Sequence, residues 1–312
     1  MEPGLRFAAI DIGSNAIRLL FSRIIENDIE SPYLIKESLI RMPLRLGHDV
    51  FNDGQISNIN CKKFLATMQG FSSLIDAYSP ISYRACATAA MRNAKNGLDL
   101  VKTVKSKTGI NIEIINGSQE ASLILSKNIN SLLKIDTNYM HIDVGGGSTE
   151  LSIINNGKVK ISNSFSIGSV RLLQNKVNKY SWDKMRSWIE ENSSGLVINK
   201  AIGSGGNINK MASILGKKKG QYLSYANVKS ELKKIKVTNL RYRIVELGMR
   251  PDRADVIEHA SKIYLKCMKW VGARKILVPQ SGLADGVIEQ LYKNHKHLIE
   301  RRPVSLLLLY QL

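Results

Sequence analysis

The sequence predicts an α/β protein whose two similar halves face each other across a phosphate-binding cleft. Two segments carry this prediction, Asp11-Ile12-Gly13-Ser14-Asn15 and Asp143-Val144-Gly145-Gly146-Gly147-Ser148-Thr149-Glu150. Each follows an apolar run typical of a strand, at residues 7–10 and 139–142, and each precedes more strand-like sequence. An aspartate at a strand end, a glycine turn with free N–H groups and a returning strand are typical of a loop that binds phosphate and metal. Two such loops indicate duplicated halves.

Hydrophobic periodicity predicts the same opening in both halves. In the first half the predicted strands are 6–12, 16–25, 33–39, 81–87 and 110–115, and the predicted helices are 59–78, 98–107 and one from Ser118. In the second half the predicted strands are 139–143, 149–154, 158–165 and 197–202, with a hairpin turn at Asn155-Asn156-Gly157. Three antiparallel strands followed by alternating strands and helices, present twice, are the pattern of two actin-like ATPase (ribonuclease H-like) domains.

These elements predict two domains, residues 1–125 and 126–297. The boundary is expected within a helix that runs from Ser118 to about Leu133. A C-terminal segment of about residues 298–312 is a candidate to pack back on the first domain. The chain shows no long linker or low-complexity segment, so the halves are expected to pack closely around the cleft.

The charge of the chain favours polyanionic partners. The 312 residues carry 45 Lys and Arg against 26 Asp and Glu, a formal net charge of +19, and residues 217–243 hold nine basic side chains against one acidic one. Such a field favours polyphosphate, nucleotides or nucleic acid. The alternative, a lysine-rich proteome that makes every surface basic, stays open.

Three observations predict a cytoplasmic location. Cys61, Cys86 and Cys267 lie far apart in the sequence, which is typical of reduced thiols rather than a disulfide framework or zinc site. A predicted strand starts almost at the N-terminus and leaves no room for a signal peptide. The apolar run at residues 304–310 is far shorter than the roughly 20 residues of a membrane-spanning helix, so no membrane partner is expected.

The segment at residues 143–150 is the strongest chemical signal. Successive glycines at Gly145, Gly146 and Gly147 let the backbone approach a phosphate without side-chain clashes. Asp143 and Glu150 end two antiparallel strands joined by this turn, so their carboxylates can converge on one hard cation such as Mg²⁺. The alternative is a glycine-rich hairpin with incidental acids.

The first loop offers one carboxylate and several donors. Asp11, Gly13, Ser14 and Asn15 form it, and Arg18 follows on the returning strand. Arg18 can point into the cleft or lie in solvent, and the sequence leaves both open.

Glu120 is a candidate general base. Asn116 and Gln119 have capping-box spacing, which places Glu120 in the first turn of a helix. A carboxylate in a partly desolvated cleft can take the proton of a water that attacks a bound phosphate. The alternative is an acid that only complements the helix dipole.

Two further segments are candidates for phosphate binding. Small residues 85–90 lead from a strand end to Arg92, which can grip a phosphate bidentately, unless it is an exposed arginine after a tight turn. Gly205 and Gly206 belong to a glycine loop after a predicted strand, which can bind a nucleotide or phosphate or be a simple turn.

Together these segments resemble the exopolyphosphatase and guanosine pentaphosphate phosphohydrolase (Ppx/GppA) family, in its short two-domain form. The resemblance covers almost the whole chain and also includes Arg45-Leu46-Gly47, residues 165–172, Arg253-Ala254-Asp255-Val256-Ile257 and Gly282-Leu283. The chain departs from the family pattern at Ser122, Asn207 and Ala284, where the family usually has arginine, threonine and arginine.

The resemblance implies a role for each candidate. Glu120 sits where the family has its catalytic base, Asp143 and Glu150 sit where it holds Mg²⁺ or another divalent cation, and Asp11 is a further metal candidate. The residues expected to bind phosphate are Gly13, Ser14, Asn15, Arg18, Arg92, Gly145, Gly146, Gly147, Ser148, Thr149, Gly205 and Gly206.

The predicted function is Mg²⁺-dependent exopolyphosphatase activity, with orthophosphate released from inorganic polyphosphate. The alternatives are 5′-phosphohydrolysis of guanosine pentaphosphate and a non-enzymatic, polyanion-binding regulator of the same fold. A kinase or actin-like ATPase is less favoured, because no substrate-side base or adenosine site can be placed. A nucleic-acid partner is not favoured either, because basic residues do not alternate with aromatic ones. A homodimer is implied by the resemblance alone.

Overall fold

The fold consists of two β-sheets with helices packed on both. The computed structural model describes residues 4–26, 32–125, 132–134 and 136–300. Each half contributes one sheet, and the two aspartate–glycine segments lie where the sheets approach each other.

The first sheet begins with three antiparallel strands. Its members are β1 (Leu5–Ile12), β2 (Ile17–Ile25), β3 (Tyr33–Met42), β4 (Ser82–Ala87) and β5 (Ile112–Ile114). The spatial order is β3-β2-β1-β4-β5, with β4 parallel to β1 and β5 parallel to β4. The apolar side chains of β1 are fully buried from Phe7 to Ile10, as expected for a strand covered on both faces.

The second sheet repeats this arrangement. Its members are β6 (Tyr139–Val144), β7 (Thr149–Asn155), β8 (Lys158–Phe165), β9 (Lys200–Ser204), β10 (Gln221–Ser224) and β11 (Lys275–Val278). The order is β10-β11-β9-β6-β7-β8; β6, β7 and β8 are antiparallel, and β9 and β11 are parallel to β6. Asn156 and Gly157 have φ angles of 49° and 69°, which suit the tight turn of the predicted hairpin. The predicted two-lobed actin-like α/β class is confirmed.

Helices cover both sheets. They are α1 (Leu46–Asp53), α2 (Asn58–Tyr78), α3 (Ala89–Asn93), α4 (Gly97–Thr108), α5 (Gly117–Ile124), α6 (Ser169–Leu173), α7 (Lys179–Asn192), α8 (Gly206–Ile214), α9 (Tyr225–Val237), α10 (Leu240–Val245), α11 (Pro251–Ala254), α12 (Ile257–Val271) and α13 (Leu283–Glu300). None of the helices in the described part of the chain has the length and apolar character needed to cross a bilayer.

The helix expected from Ser118 to about Leu133 ends at Ile124. Residues 126–131 of the expected helix lie outside the described residues. The strand expected at 197–202 instead covers Lys200–Ser204, so the strand itself carries the chain into the glycine loop at Gly205.

Helix α13 returns the chain to the first half. It packs against β1, β2, β4 and α5, and its Val287 and Ile288 share a buried cluster with Phe7 and Leu20. The chain therefore already contacts the first half from residue 283 on, and the expected packing of about residues 298–312 stays a prediction, because residues 301–312 lie outside the described part. The domain limits themselves stay a prediction.

Candidate active site

A cavity of about 510 Å³ lies between the two sheets. Its walls come from both halves: the turn after β1, the turn after β6, the loop after β9 and the start of α13. We call the turn at residues 13–16 loop 1 and the turn at residues 145–148 loop 2. Both loops line the cavity, as do the predicted site residues Glu120, Asp143, Gly205 and Gly206.

Loops 1 and 2 close in the same way. The Gly13 N–H donates to Ala16 O at 3.1 Å, and the Gly145 N–H donates to Ser148 O at 3.0 Å. The strands that the loops join have matching register: Asp11 pairs with Arg18, and Asp143 pairs with Glu150. The aspartate of each loop therefore faces the residue seven positions later.

The glycines of loop 2 allow the two loops to touch. A Cβ on Gly147 would lie 2.3 Å from Phe51 Cζ and 2.9 Å from Ser14 Oγ, and one on Gly146 would lie 3.0 Å from Ser14 Cβ. Arg171 supports this contact from behind, because its Nε donates to Gly147 O at 2.7 Å and its guanidinium lies 3.9 Å from the centre of the Phe51 ring. The supporting role of Arg171 was not predicted from the sequence.

Three buried carboxylates form what we call the acidic cluster, Glu120, Asp143 and Glu150. One oxygen from each lies within 4.8 Å of the others, and all three side chains are buried. The predicted capping box places Glu120 here, since Asn116 accepts from the Gln119 N–H and the Gln119 side chain binds the Asn116 N–H. Ser164 Oγ donates to Glu150 Oε1 at 2.7 Å.

The acidic cluster fits a hard divalent cation. The second oxygens, Glu120 Oε2 and Glu150 Oε2, are buried and have no hydrogen-bond partner among the described residues. An all-oxygen donor set with orphaned carboxylate oxygens is what Mg²⁺ or a similar cation requires. Among the described residues, this is also the group of acids close enough together to share one ion.

Burial and mutual repulsion raise the pKa values of the acidic cluster. Burial, followed by the charges of Glu150 and Asp11, raises the pKa of Asp143 to about 8. Burial and the three neighbouring carboxylates raise the pKa of Glu120 well above its usual range, and burial raises that of Glu150. A bound cation would therefore stabilise the ionised form of these three carboxylates.

Asp11 lies outside the acidic cluster. Arg18 Nη1 lies 2.6 Å from Asp11 Oδ2, and both residues line the cavity. Arg18 therefore points into the cleft, which the sequence had left open. The role of Asp11 as a metal ligand stays a prediction, and its carboxylate already has one cationic partner.

Arg92 and Thr149, like Glu150, are not among the described residues that line the cavity. Arg92 Nη1 donates to Ile115 O at 2.6 Å, and its charge opposes the rise in the pKa of Glu120. The Thr149 hydroxyl is fully buried and donates to Ile167 O at 2.6 Å. In this arrangement Arg92 stabilises the acidic cluster and Thr149 anchors the strand after loop 2; phosphate contacts by either residue stay a prediction.

Ion pairs between the halves border the cavity and were not predicted. Arg41 binds Asp252 through both terminal guanidinium nitrogens, and Arg45 Nη1 lies 2.6 Å from Asp255 Oδ2. The predicted phosphate ligand Asn15 joins them, because its Nδ2 donates to Asp252 O at 2.7 Å. In the structure Arg41 stands directly opposite Arg18 on β2, a register that includes a bulge in β3 and that the sequence pattern did not indicate.

The cavity is rich in positive charge. Six of the described residues that line it are cationic: Arg18, Lys36, Arg41, Lys210, Arg250 and Arg253. Burial and the charges of Arg41 and Arg18 lower the pKa of Arg253 to about 10, which shows how densely these cations are placed. No residue of the basic run 217–243 is among the described lining residues, so its predicted role as a polymer track stays a prediction.

Comparison with known proteins gives one consistent family. The model of the Ppx/GppA phosphatase family matches residues 32–295. A bifunctional 3-dehydroquinate synthase/phosphatase of Fusobacterium nucleatum subsp. nucleatum is 28% identical over 311 residues, which cover 92% of this chain and 46% of that protein. The chain thus spans about half the length of this curated relative.

Solved structures show the same similarity. The Aquifex aeolicus member of the Ppx/GppA family superposes with a TM-score of 0.74 at 26% identity, over 94% of this chain and 100% of that one. An exopolyphosphatase from Cytophaga hutchinsonii superposes with a TM-score of 0.79 at 23% identity, over 93% and 98%, and supports the fold alone.

Proposed function

The chain belongs to the Ppx/GppA phosphatase family, and we propose that it is a Mg²⁺-dependent exopolyphosphatase that hydrolyses the terminal phosphoanhydride of inorganic polyphosphate. The resemblance drawn from the sequence motifs is confirmed by the family match. The observation that carries the proposal is the buried acidic cluster beside two facing glycine loops. Such a cluster can activate water next to a phosphate held by the loops.

Asp143 and Glu150 are the residues that would hold Mg²⁺. Both end strands that are fixed in one register, and Ser164 fixes the Glu150 carboxylate. A bound Mg²⁺ supplies positive charge for the phosphoryl oxygens and lowers the pKa of a bound water.

Glu120 is the proposed general base. Its carboxylate is buried, lies within 4.8 Å of the other two acids and keeps Oε2 without a partner among the described residues. A raised pKa brings a carboxyl group nearer to the working pH, where it takes the proton of an attacking water most effectively. The proton would therefore pass to Glu120 as the oxygen of the water attacks the terminal phosphorus. The bridging P–O bond would break at the same time, so that orthophosphate forms and the shortened polyphosphate chain leaves with the bridging oxygen.

Loops 1 and 2 are the proposed phosphate clamp. The Gly13 and Gly145 N–H groups close their own loops, which leaves the N–H groups between them, at Ser14 and Asn15 and at Gly146 and Gly147, as the donors we assign to phosphate. Arg18 adds a positive charge on the same side as loop 1. Fixed donors of this kind stabilise the charge that develops on the leaving phosphate.

The cavity favours a linear polyanion over a nucleotide. It has six cationic side chains, and none of its described lining residues is aromatic. A guanine base is commonly held by stacking on an aromatic ring, whereas a polyphosphate needs only positive charge and backbone donors. Guanosine pentaphosphate hydrolysis is therefore the second candidate.

Orthophosphate release from a substrate panel tests the proposal. The purified protein would be given long-chain polyphosphate, tripolyphosphate, guanosine pentaphosphate and ATP, each with Mg²⁺ and each with EDTA. We expect release from polyphosphate with Mg²⁺ and none with EDTA. Preference for guanosine pentaphosphate would establish the second candidate, and binding without release from any substrate would leave a polyanion-binding regulator.

A further inference from the structure

A β-bulge in the edge strand β3 turns Lys36 toward the cavity. Phe21 pairs with Ser38, but the next residue of β2, Ser22, pairs with Lys36, so Glu37 is the extra residue. Paired residues share a face of the sheet, so Lys36 lies on the face of Leu39 and Arg41. Without the bulge, Lys36 would stand opposite Arg23 and point to the other face.

Contacts on both faces fix this bulge. On the far face, Glu37 accepts from Arg23 Nε at 2.6 Å and from the Tyr78 hydroxyl of α2. On the cavity face, Lys36 Nζ lies 2.5 Å from Asp285 Oδ1 at the start of α13. These contacts fix the bulge, and the bulge fixes the position of Lys36 beside the cavity.

Lys36 keeps its charge available to the cavity. Its side chain is 43% exposed, whereas that of Asp285 is 12% exposed. Asp285 is fixed by its own backbone contact, because the Gly282 N–H donates to Asp285 Oδ2 at 2.9 Å. An ammonium group has three donors, and one of them is directed to Asp285, so others can reach an anion in the cavity.

Lys36 stands far along the sheet from Arg18, whose charge acts on Asp143 of the acidic cluster. Its partner Ser22 is four residues from Arg18 on β2, which corresponds to roughly 13 Å at about 3.3 Å per strand residue. The row between them holds Leu20 and Leu39, which carry no charge. A ligand whose terminal phosphate lies at the acidic cluster reaches Lys36 only if it is an extended chain.

We propose that Lys36 is an outer phosphate subsite that selects long polyphosphate over short phosphate substrates. This inference rests on the proposed function of the same cavity. Lys36 acts on binding of the distal chain and takes no part in proton transfer. The ligand chemistry is a linear polyanion of several phosphate units that crosses the edge of the first sheet.

Equilibrium binding in EDTA tests this subsite without turnover. Lys36→Met would be compared with the parent for long-chain polyphosphate and for tripolyphosphate. We expect Lys36→Met to bind the long chain about fivefold more weakly and to bind tripolyphosphate about as well as the parent does. The slope of log affinity for the long chain against log salt concentration should fall by roughly one phosphate contact. Lys102→Met is the matched control, because Lys102 also pairs with an aspartate, at 3.7 Å from Asp99, on the distant helix α4.

A second variant, Asp285→Asn, is expected to change the affinity for long-chain polyphosphate in the opposite direction. Asp285→Asn removes the competing carboxylate from Lys36 while its amide oxygen can still accept from the Gly282 N–H, so binding of the long chain is expected to tighten severalfold. Thermal melting would show that each variant folds. Equal losses for both chain lengths in Lys36→Met, or no loss for the long chain, would overturn the subsite.

The two proposals fail in different ways. A parent that binds long chains selectively through Lys36 but releases no orthophosphate with Mg²⁺ contradicts the hydrolase proposal alone. A parent that hydrolyses long polyphosphate, with Lys36→Met unchanged in binding and in KM, contradicts the subsite alone. If the subsite is correct and turnover occurs, Lys36→Met raises KM for long chains and leaves kcat unchanged.

Discussion

Loops 1 and 2 have matching backbones but differ in charge. Each is closed by a hydrogen bond from its first N–H to its fourth carbonyl, and each places an aspartate opposite the residue seven positions later. In loop 1 that residue is Arg18, whose guanidinium is 2.6 Å from Asp11. In loop 2 it is Glu150, a second acid. One loop thus neutralises its aspartate, and the other accumulates negative charge.

This difference places the proposed metal chemistry on one side of the cleft. The acidic cluster gathers Glu120 around the aspartate and glutamate of loop 2, and burial, together with the charges of Glu150 and Asp11, raises the pKa of Asp143 to about 8. A buried group of like charges is costly unless a cation joins it. The two loops share their closing hydrogen bond, and the residue paired with the aspartate, Arg18 in one and Glu150 in the other, is what places the proposed cation at loop 2.

The largest expected effect comes from Glu120, the carboxylate that lies beside loop 2. Glu120→Gln is expected to reduce orthophosphate release from polyphosphate by about 10²–10⁴-fold, since the amide cannot accept the proton of the attacking water. The same variant should bind polyphosphate in EDTA at least as well as the parent, because the amide carries no negative charge at any pH.

Glu113→Gln is the matched control for Glu120. Glu113 is on the neighbouring strand β5, where it pairs with Arg84 at 2.7 Å on the surface. Its replacement should leave phosphate release unchanged. Parent-like release by Glu120→Gln would reject Glu120 as the base.

The next largest effect on phosphate release is expected from the aspartates of the two loops, Asp143 and Asp11. Asp143→Asn is expected to lower phosphate release at fixed Mg²⁺ by about 100-fold or more, because it removes a ligand of the proposed cation. Asp11→Asn is expected to cost about tenfold or less, since it disturbs the pairing of Arg18 and removes only a smaller cause of the raised pKa of Asp143. Titration of activity against Mg²⁺ should show a higher requirement in Asp143→Asn and a parent-like one in Asp11→Asn. Equal shifts in both variants would place the cation between the loops rather than at loop 2.

Much of this asymmetry could be predicted from the sequence. Strand periodicity and the repeated aspartate–glycine segments predicted both sheets and their class, and the capping-box spacing of Asn116 and Gln119 correctly placed Glu120 in the first turn of α5. These features depend on neighbours along the chain, so local patterns are sufficient to find them.

Long-range geometry explains what was missed. The pairing of Arg41 with Asp252 joins positions 211 residues apart, and no local pattern specifies such a contact. The bulge at Glu37 is likewise absent from the hydrophobic pattern, because Arg23 and Tyr78 from other elements hold it. Helix α13 returns to the first sheet for a similar reason, through contacts with Phe7 and Leu20 that lie far away in sequence.

The stability of the metal-free protein provides a third test of the difference in charge between loops 1 and 2. The pKa of Asp143 is about 8 in the folded protein and near 3.8 in an unfolded chain, so the folded state binds the proton more tightly. This contribution is fully present below about pH 4 and is lost as the pH rises through 8, with a slope of up to about 1.4 kcal/mol per pH unit. In EDTA, the stability of the parent relative to Asp143→Asn should therefore decline between pH 5 and 8, as measured by denaturant unfolding.

The same stability measurements with added Mg²⁺, and with the Asp11→Asn variant, complete this test. Added Mg²⁺ should stabilise the parent, and more strongly at pH 8 than at pH 5, because the cation replaces the proton. Asp11→Asn should keep most of the dependence of the parent on pH and Mg²⁺, because burial and the charge of Glu150 raise the pKa of Asp143 more than the charge of Asp11 does. A parent and Asp143→Asn whose stabilities differ by a constant amount across this range would contradict the account of loop 2.

The smallest expected effect concerns the glycines. Gly13 and Gly145 hold matching positions, and a Cβ there would lie 3.2 Å from Ala16 O and 3.3 Å from Ser148 O respectively, so alanine at either site should cost a similar, small amount of stability. Gly147 has no counterpart, since the matching position in loop 1 is Asn15. Its Cβ would lie 2.3 Å from Phe51 Cζ, and Gly147→Ala should cost about 1–3 kcal/mol of unfolding free energy. Phe51→Leu should recover part of that loss, because it removes the ring that the new methyl group meets. If Gly147→Ala is as mild as Gly13→Ala, the third glycine is not needed for the contact between the loops, and its proposed role as a phosphate donor would be the remaining explanation for it.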